Sequence, residues 1–356
     1  MEKSGKHIRV LIVDDSAFMR NAIKSMLVSD PSIEVVGVAR DGVEALEKVA
    51  ILKPDIMTLD VEMPRMNGLE TLKILMEKSP LPVIMVSSLT TEGAKTTLDA
   101  LDMGAVDFIP KNLSELSINI VNIKLMLIDK IKQIGSKGLK IPKKISRTAQ
   151  TRTAAHLPIS KNVQFTSSKR MNIIAIGTST GGPKALQSIV PLLPKNISIP
   201  IVISQHMPHS FTGPFAERLN QLSQVCVQEA KNGEKLQSGI VYIAPGYGHM
   251  SIVKKGIEKY ICISENNEYI YKPSVDVMML SVAQLYPGNC LGVILTGMGN
   301  DGLKGMKAIK EGDGRTLAQD EDSCVVYGMP KAVVDAKIAD KVVSLSEVAG
   351  EIINSI

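Results

Sequence analysis

Short aliphatic runs alternate with amphipathic stretches through the first third of this 356-residue chain. Each run is long enough for one buried strand, and the stretch after it has the apolar period of a helix packed on one side. Parallel strands need a helical crossover, so five such units predict a five-stranded, doubly wound parallel α/β domain. The predicted strands are Arg9–Val13, Ile33–Ala39, Asp55–Leu59, Pro82–Ser87 and Asp107–Ile109.

The positive charge of the chain is concentrated in one segment. The formal net charge is +5, yet residues 135–170 hold nine Lys or Arg and no acid, whereas residues 1–134 and 171–356 carry −3 and −1. The segment is rich in Ser, Thr and Lys and lacks a sustained apolar period, which is typical of a solvated linker. We predict a first domain at 1–134, a basic flexible linker at 135–170 and a second domain at 171–356.

Composition favours a soluble, unexported protein. Hydrophobic residues make up 44% of the chain, and no run of 18 apolar residues or N-terminal signal sequence appears. The four cysteines are widely spaced without a C-x-x-C pair, which indicates neither a disulfide framework nor a zinc site. We therefore expect a cytoplasmic protein without direct membrane insertion.

Polar side chains follow the predicted strands of the first domain, where ligands of doubly wound sheets bind. Asp14 and Asp15 come after the first strand and Asp60 after the third. Each alone could be a helix N-cap, but three carboxylates at one rim suit Mg²⁺, which prefers oxygen ligands and a phosphate. Ser87 and Lys111, at the ends of the fourth and fifth strands, could hold the other oxygens of a phosphoryl group.

Four motifs of this domain resemble the receiver domain of two-component response regulators over about residues 7–125. They are VLIVDDSAFMR, DIMTLDVEMPRMNGLE, VIMVSS and GAVDFIPK. One position departs from the family, because Asn112 stands where a proline usually follows the lysine, which leaves the geometry of this loop open. The resemblance implies Asp60 as phosphoryl acceptor, Asp14, Asp15 and Asp60 as Mg²⁺ ligands, Ser87 as switch hydroxyl, Phe108 as switch aromatic and Lys111 as phosphoryl contact.

The second domain begins with a glycine-rich turn between a predicted strand, Asn172–Thr178, and a predicted helix, Pro183–Leu193. The turn reads GTSTG at residues 177–181, which satisfies the G-x-S-x-G pattern of a serine nucleophile at Ser179. Glycines allow the sharp turn, and the free amides of the helix N-terminus lie beside the serine. A turn of this kind can equally hold a phosphate group.

Two further predicted strands, Ile201–Ser204 and Gly292–Leu295, deliver His206 and Asp301 to the same rim as Ser179. Serine, histidine and aspartate at three strand ends have the logic of nucleophile, base and orienting acid. Their order differs from the Ser, Asp, His order of the common α/β-hydrolases, so the shared motif indicates convergence in chemistry.

Spacing alone leaves several alternatives open at this rim. His206 could be a structural histidine, and His209 could compete as the base or form a metal site with it. Asp301 could cap the predicted helix Leu303–Lys310, and Met298 could be a core residue.

Six ordered motifs resemble the catalytic domain of the chemotaxis protein-glutamate methylesterases, the CheB family. They are NIIAIGTSTGGPKAL, ISQHMP, VYIAPGYGHM, KPSVDVMMLSVA, VILTGMGNDGLKGM and LAQDEDSCVVYGMPKAVV. The resemblance implies a doubly wound, mostly parallel α/β domain. Lys272 stands where an arginine more often precedes PSVD. Lysine keeps the positive charge but lacks the guanidinium group, which can bind a carboxylate of an acidic receptor through two parallel hydrogen bonds. The implied site consists of the triad Ser179, His206 and Asp301, supported by Thr180 and by the backbone amide of Met298 in the oxyanion hole.

The combined resemblance implies phosphorylation-regulated hydrolysis of glutamate methyl esters, and glutamine deamidation, on cytoplasmic regions of methyl-accepting chemotaxis receptors. A chemotaxis histidine kinase would be the phosphodonor, with Mg²⁺ needed for receiver phosphorylation and no cofactor for the esterase reaction. The receiver, on its linker, could cover the triad until it is phosphorylated. Two other classes remain, a non-catalytic receptor scaffold and a DNA-binding regulator. The second is disfavoured, and no nucleic-acid partner is expected, because residues 171–356 lack a basic recognition helix.

Overall fold

The first domain is a five-stranded parallel sheet. The computed structural model describes residues 7–111, 119–136, 170–266, 269 and 271–356. The strand order is β2-β1-β3-β4-β5, and every pairing is parallel, as the sequence predicts. The strands are β1 Ile8–Val13, β2 Ile33–Ala39, β3 Ile56–Asp60, β4 Val83–Ser87 and β5 Asp107–Pro110, and the helices are α1 Ala17–Val28, α2 Gly42–Leu52, α3 Gly68–Lys78, α4 Thr91–Met103 and α5 Asn119–Ser136.

Both faces of this sheet are covered by helices, which explains why its strands are apolar on both sides. Val10 and Ile12 of β1 point to the face covered by α1 and α5, whereas Leu11 and Val13 point to the face covered by α2, α3 and α4. The predicted linker continues from α5, but nearly all of it, together with Asn112, lies outside the described residues.

The second domain is built on a seven-stranded parallel sheet with the order β14-β13-β12-β6-β7-β9-β8, beside a separate antiparallel hairpin of β10 and β11. Its strands are β6 Ile173–Thr178, β7 Ile201–Gln205, β8 Cys226–Glu229, β9 Ile240–Ile243, β10 His249–Lys255, β11 Glu258–Ser264, β12 Cys290–Ile294, β13 Arg315–Gln319 and β14 Lys341–Val343. Its helices are α6 Gly182–Ile189, α7 His209–Leu222, α8 Val275–Leu285, α9 Leu303–Glu311, α10 Met329–Asp335 and α11 Leu345–Ile353.

The strand order of this sheet reverses between β6 and β12. From β6 the chain proceeds to β7 on one side, whereas β12 leads to β13 and β14 on the other. Helices α6, α7 and α11 cover one face, and α8, α9, α10 and the hairpin cover the other. Such a reversal opens a crevice at the carboxyl ends of the strands, which is where this fold binds ligands.

The two domains pack against each other through α4 and β5 of the first and α7 of the second. Phe108 of β5 stacks on Phe211 of α7, with ring centroids 4.4 Å apart. Arg218 of α7 donates hydrogen bonds to Asp99, at 2.7 Å, and to Asp102, both on α4. Aromatic stacking and ion pairing therefore join the receiver-like domain to the second sheet.

Candidate active site and phosphorylation site

Ser179 lies on the turn between β6 and α6, beside the strand-order reversal. Gly181 has φ of +78°, a conformation that favours glycine, and lets the chain enter the helix directly after the serine. A side chain at Gly182 would reach within 2.0 Å of the Gln205 side-chain oxygen. The side-chain amide nitrogen of Gln205 donates hydrogen bonds to the backbone carbonyls of Ser179, at 3.0 Å, and of His206, at 2.9 Å. These bonds connect the loop that carries Ser179 to the loop that carries His206.

His206 follows β7 and is hydrogen-bonded to Asp301, which follows β12. The Nε2 atom of His206 lies 2.8 Å from Oδ2 of Asp301, and both side chains are more than nine-tenths buried. The other ring nitrogen, Nδ1, is buried without a hydrogen-bond partner among the described residues. In the neutral ring that donates from Nε2 to the aspartate, Nδ1 carries no proton and can accept one.

Asp301 is held at the N-terminus of α8. The amides of Val275 and Asp276 donate to its two oxygens at 2.7 and 3.0 Å, and the hydroxyl of Ser274 donates to Oδ1 at 3.1 Å. Burial alone would raise the pKa of Asp301, but the hydrogen bonds from His206 and the two amides hold it below its usual value. The carboxylate therefore stays ionised beside the imidazole.

A second histidine, His249 at the start of β10, supports this arrangement. Its Nδ1 accepts the amide N–H of Ser274 at 2.9 Å, and its Nε2 lies 2.9 Å from the carbonyl of Asn266. His249 is fully buried, and burial lowers its pKa, so it is neutral at neutral pH. It fixes the residue that caps α8 and contacts Asp301.

Two backbone amides are free to bind an oxyanion beside Ser179. The N–H groups of Thr180 and Met298 have no hydrogen-bond partner in the part of the chain that the structure describes. The Thr180 hydroxyl is likewise buried and unpaired among those residues. Thr180 follows Ser179 directly, and both residues line the same cavity as Met298 and His206. The site therefore combines a hydroxyl, a buried base and unused donors.

The cavity at this site has a volume of about 220 Å³ and lies between the two domains. Ser179, Thr180, His206, Tyr271 and Lys272 line it from the second domain. The first domain closes its other side with Asp107, Phe108, Pro110, Met126 and Lys130. The first domain therefore forms one wall of the cavity that Ser179 lines.

The acidic trio of the first domain converges as predicted. Ligand oxygens of Asp14, Asp15 and Asp60 lie within 4.8 Å of one another, and only Asp15 is exposed. The Lys111 ammonium is 2.5 Å from Asp60 Oδ2 and 3.3 Å from Asp14 Oδ2. A donor set of three carboxylates, one of them open to solvent, fits Mg²⁺.

The charges of this cluster are not balanced. Burial, and secondarily the charge of Asp14, raises the pKa of Asp60 to about 6, although Lys111 partly offsets the effect. Burial also raises the pKa of Asp14. Three carboxylates face one lysine, so a divalent cation would relieve their repulsion.

Ser87 and Phe108 connect this cluster to the interface between the domains. The Ser87 hydroxyl is fully buried, accepts a hydrogen bond from Thr97 at 2.7 Å and lies 3.3 Å from the carbonyl of Gly93. Both of these partners are on α4, which also contacts α7. Phe108 lies one strand away, and its ring is stacked on Phe211 of the second domain.

The structure separates the two candidate bases. His209 is exposed at the start of α7, makes an edge contact with Tyr247 and does not line the cavity. Among the described residues, three or more metal-ligating side chains lie close enough together to hold an ion only at Asp14, Asp15 and Asp60. Neither His206 nor His209 belongs to such a group.

Sequence reasoning does not identify Gln205, Tyr271, Ser274 or His249 as parts of the site. Three of them stand inside the motifs ISQHMP, KPSVDVMMLSVA and VYIAPGYGHM, and Tyr271 directly precedes the second of these. Their positions beside the triad depend on how the hairpin and α8 pack, which local patterns do not reveal.

None of the described helices is long and apolar enough to cross a bilayer.

Comparisons with known proteins agree along the whole chain. The family model described as CheB methylesterase matches residues 174–352, and the response regulator receiver domain model matches residues 10–120. The protein-glutamate methylesterase/protein-glutamine glutaminase of Lawsonia intracellularis is 47% identical over 98% of this chain and 99% of that protein. The protein of the same description from Pyrococcus abyssi is 43% identical over 100% of this chain and 95% of that protein. The Thermotoga maritima CheB methylesterase catalytic domain, known from a crystal structure, is 39% identical in sequence to this chain, with a TM-score of 0.51. The match covers 52% of this chain and 99% of that domain.

Proposed function

This chain belongs to the CheB methylesterase family and is a carboxylic ester hydrolase, and from that premise we propose a specific activity and its control. The enzyme hydrolyses the methyl esters of glutamate side chains on the cytoplasmic regions of chemotaxis receptors. Phosphorylation of Asp60 by a histidine kinase raises this activity. The observation that supports the proposal best is the buried hydrogen bond between His206 and Asp301, with His206 lining the same cavity as Ser179 and residues of the receiver.

In the proposed reaction, the Ser179 hydroxyl oxygen attacks the γ-carbonyl carbon of the glutamate ester. His206 takes the hydroxyl proton on Nδ1, and the ionised Asp301 stabilises the resulting imidazolium through Nε2. The amides of Thr180 and Met298 donate to the oxyanion, and each such donor typically contributes about 2.7 to 4 kcal/mol. Collapse expels methanol, which receives the proton from His206.

The second half of the reaction regenerates the enzyme. Water attacks the glutamyl ester of Ser179 while His206 removes a water proton, and the proton then returns to the serine oxygen. The products are a free glutamate side chain and the original hydroxyl group. A glutamine side chain follows the same route with ammonia as the leaving group, which accounts for a deamidase activity.

The proposed control begins at the acidic rim of the receiver. Asp60 accepts the phosphoryl group, Lys111 and Ser87 bind its oxygens, and Asp14, Asp15 and Asp60 would hold Mg²⁺, which neutralises charge on the phosphate when bound. Ser87 must leave its bonds to α4 to reach the phosphoryl group. This movement weakens the packing of Phe108 on Phe211 and opens the cavity to the receptor.

The test is methanol release from methylated receptor membranes by the wild-type chain, with and without Mg²⁺ and a small-molecule phosphodonor. Ser179→Ala should release none, whereas Ser188→Ala, an exposed serine on the next helix, should match the wild type. The phosphodonor should raise release by the wild type but not by Asp60→Asn. No release by the phosphorylated wild type would favour a receptor scaffold instead.

A further inference from the structure

The imidazole of His206 lies flat against the ring of Tyr271. The two ring centroids are 4.7 Å apart and the planes differ by 10°. Tyr271 precedes α8 and forms part of the cavity wall. Its phenol end lies against the loop after Met298, where a side chain on Gly299 would approach the phenol oxygen to 3.6 Å. One tyrosine therefore contacts both the base and the loop that supplies an oxyanion donor.

The hydrogen bond to Asp301 fixes only one edge of the imidazole. A ring held at Nε2 alone can still swing about that bond, which changes the direction in which Nδ1 points. Proton transfer requires hydrogen-bond geometry, and small misplacements at a reacting centre are costly. A parallel aromatic ring within contact distance restricts this swing because it fixes the plane of the imidazole.

The tyrosine face also suits the charge that forms during the reaction. Aromatic faces are electron-rich and attract a cation that lies over them. Burial, followed by the charges of Asp129 and Asp301, raises the pKa of Tyr271, so the phenol remains neutral. The stacked ring is thus an uncharged, electron-rich surface against the imidazolium.

We propose that Tyr271 is a positioning residue that holds the plane of His206 for proton transfer from Ser179. The inference rests on the proposed function, because it takes His206 as the general base. It assigns the effect to the aromatic ring and not to the phenol hydroxyl, because the ring is the part that stacks on the imidazole. The ring contributes mainly to kcat, since stacking on the base does not depend on bound receptor.

The kinetic experiment compares Tyr271→Leu, Tyr271→Phe and the wild-type full-length chain, all phosphorylated in Mg²⁺ and assayed on methylated receptor membranes. We expect Tyr271→Leu to lower kcat about tenfold, equivalent to about 1.4 kcal/mol, with KM within twofold. Tyr271→Phe should restore most of the lost kcat. Tyr247→Leu is the matched control, because Tyr247 contacts His209 and not the base.

A second readout does not depend on catalysis. The chain has five histidines, so ¹⁵N labelling of histidine and a His206→Gln reference spectrum assign the His206 ring nitrogens. The wild type and Tyr271→Phe should give sharp His206 ring resonances. Tyr271→Leu should give resonances broadened by exchange between ring orientations, with Nε2 still protonated by its bond to Asp301, in a chain that remains folded by circular dichroism.

Two results would overturn the inference. A higher KM with unchanged kcat in Tyr271→Leu would make the tyrosine only a wall of the substrate cavity. Equal losses in the Phe and Leu variants would assign the effect to the hydroxyl. A wild type that releases no methanol would refute the proposed function itself. Sharp His206 ring resonances in the wild type, broadened in Tyr271→Leu, would still support the stacking argument in that case.

Discussion

Removal of the Arg218 side chain should raise the basal activity of the unphosphorylated enzyme. Arg218 on α7 pairs with Asp99 and Asp102 on α4, and its side chain is 25% exposed while theirs are 52% and 36% exposed. These contacts exist only while the receiver packs on the catalytic domain. Arg218→Ala therefore weakens the closed arrangement and leaves the triad unchanged.

The magnitude follows from the exposure of the ion pairs. Partly exposed pairs contribute about 0.2 to 1 kcal/mol each, so the loss of two destabilises the closed form by about 1 kcal/mol. That free energy corresponds to about a fivefold change in an equilibrium constant. If the open form is the minor species, basal methanol release should rise about fivefold. Release by the phosphorylated chain should change less than about twofold, because phosphorylation already favours the open form.

The assay is methanol release from receptor membranes with and without the phosphodonor, at low and high salt. Salt screens exposed ion pairs, so added NaCl should raise wild-type basal activity and affect Arg218→Ala less. Glu217→Ala, an exposed neighbour on the same helix, is the control. A charge exchange, Arg218→Asp with Asp102→Arg, should restore low basal activity. An equal increase with and without phosphorylation would refute the reasoning, because it would place the effect on catalysis.

Three further substitutions test the buried geometry. Asp60→Asn should stabilise the chain to urea at pH 7.5 by roughly 3 kcal/mol and have no effect below about pH 3. Folding raises the Asp60 pKa from 3.8 to about 6. The folded state therefore loses free energy of unfolding when Asp60 ionises, a loss that is absent well below pH 3.8 and complete above about pH 6. Ser274→Ala should cost about 1 kcal/mol of stability, as the loss of an N-cap does, and lower kcat severalfold because Asp301 loses a donor. Gly181→Ala should cost about 1 to 3 kcal/mol, since its φ is +78° and the added methyl would meet a side chain at 2.6 Å. Gly233→Ala, with the same φ and open space around it, isolates the backbone part in parallel urea titrations; equal losses at the two glycines would remove the packing argument.

The fold could be predicted from the sequence because its strands are apolar on both sides. Runs such as Arg9–Val13 and Asn172–Thr178 differ from the observed β1 and β6 by a single residue at one end. Strands β8, β9, β13 and β14 and the hairpin were not predicted. β8, β9 and β14 are three or four residues long, the hairpin is only partly buried, and β13 is buried but carries the polar residues Arg315, Thr316 and Gln319, so their patterns are weak. The predicted helix Pro183–Leu193 ends earlier, at Ile189, and a 3₁₀ turn at Val190–Leu192 continues it.

The site was predictable to the extent that it obeys one topological rule. Residues directly after parallel strands share a rim, and this rule alone places Asp14 with Asp60, and Ser179 with His206. It does not say which ring nitrogen of the histidine faces the aspartate. It also does not distinguish His206 from His209, because both follow β7 closely in sequence and only the packing of α7 separates them.

Local apolar patterns and chain order are enough to predict the two α/β domains, the acidic rim and the strand-end positions of the serine, histidine and aspartate. The stacking of Tyr271 on His206 and of Phe108 on Phe211 is visible only in the folded protein. These contacts join residues far apart in the chain, and their formation depends on how whole faces of helices and sheets fit together. No local pattern encodes that fit, and it is there that the proposed regulation acts.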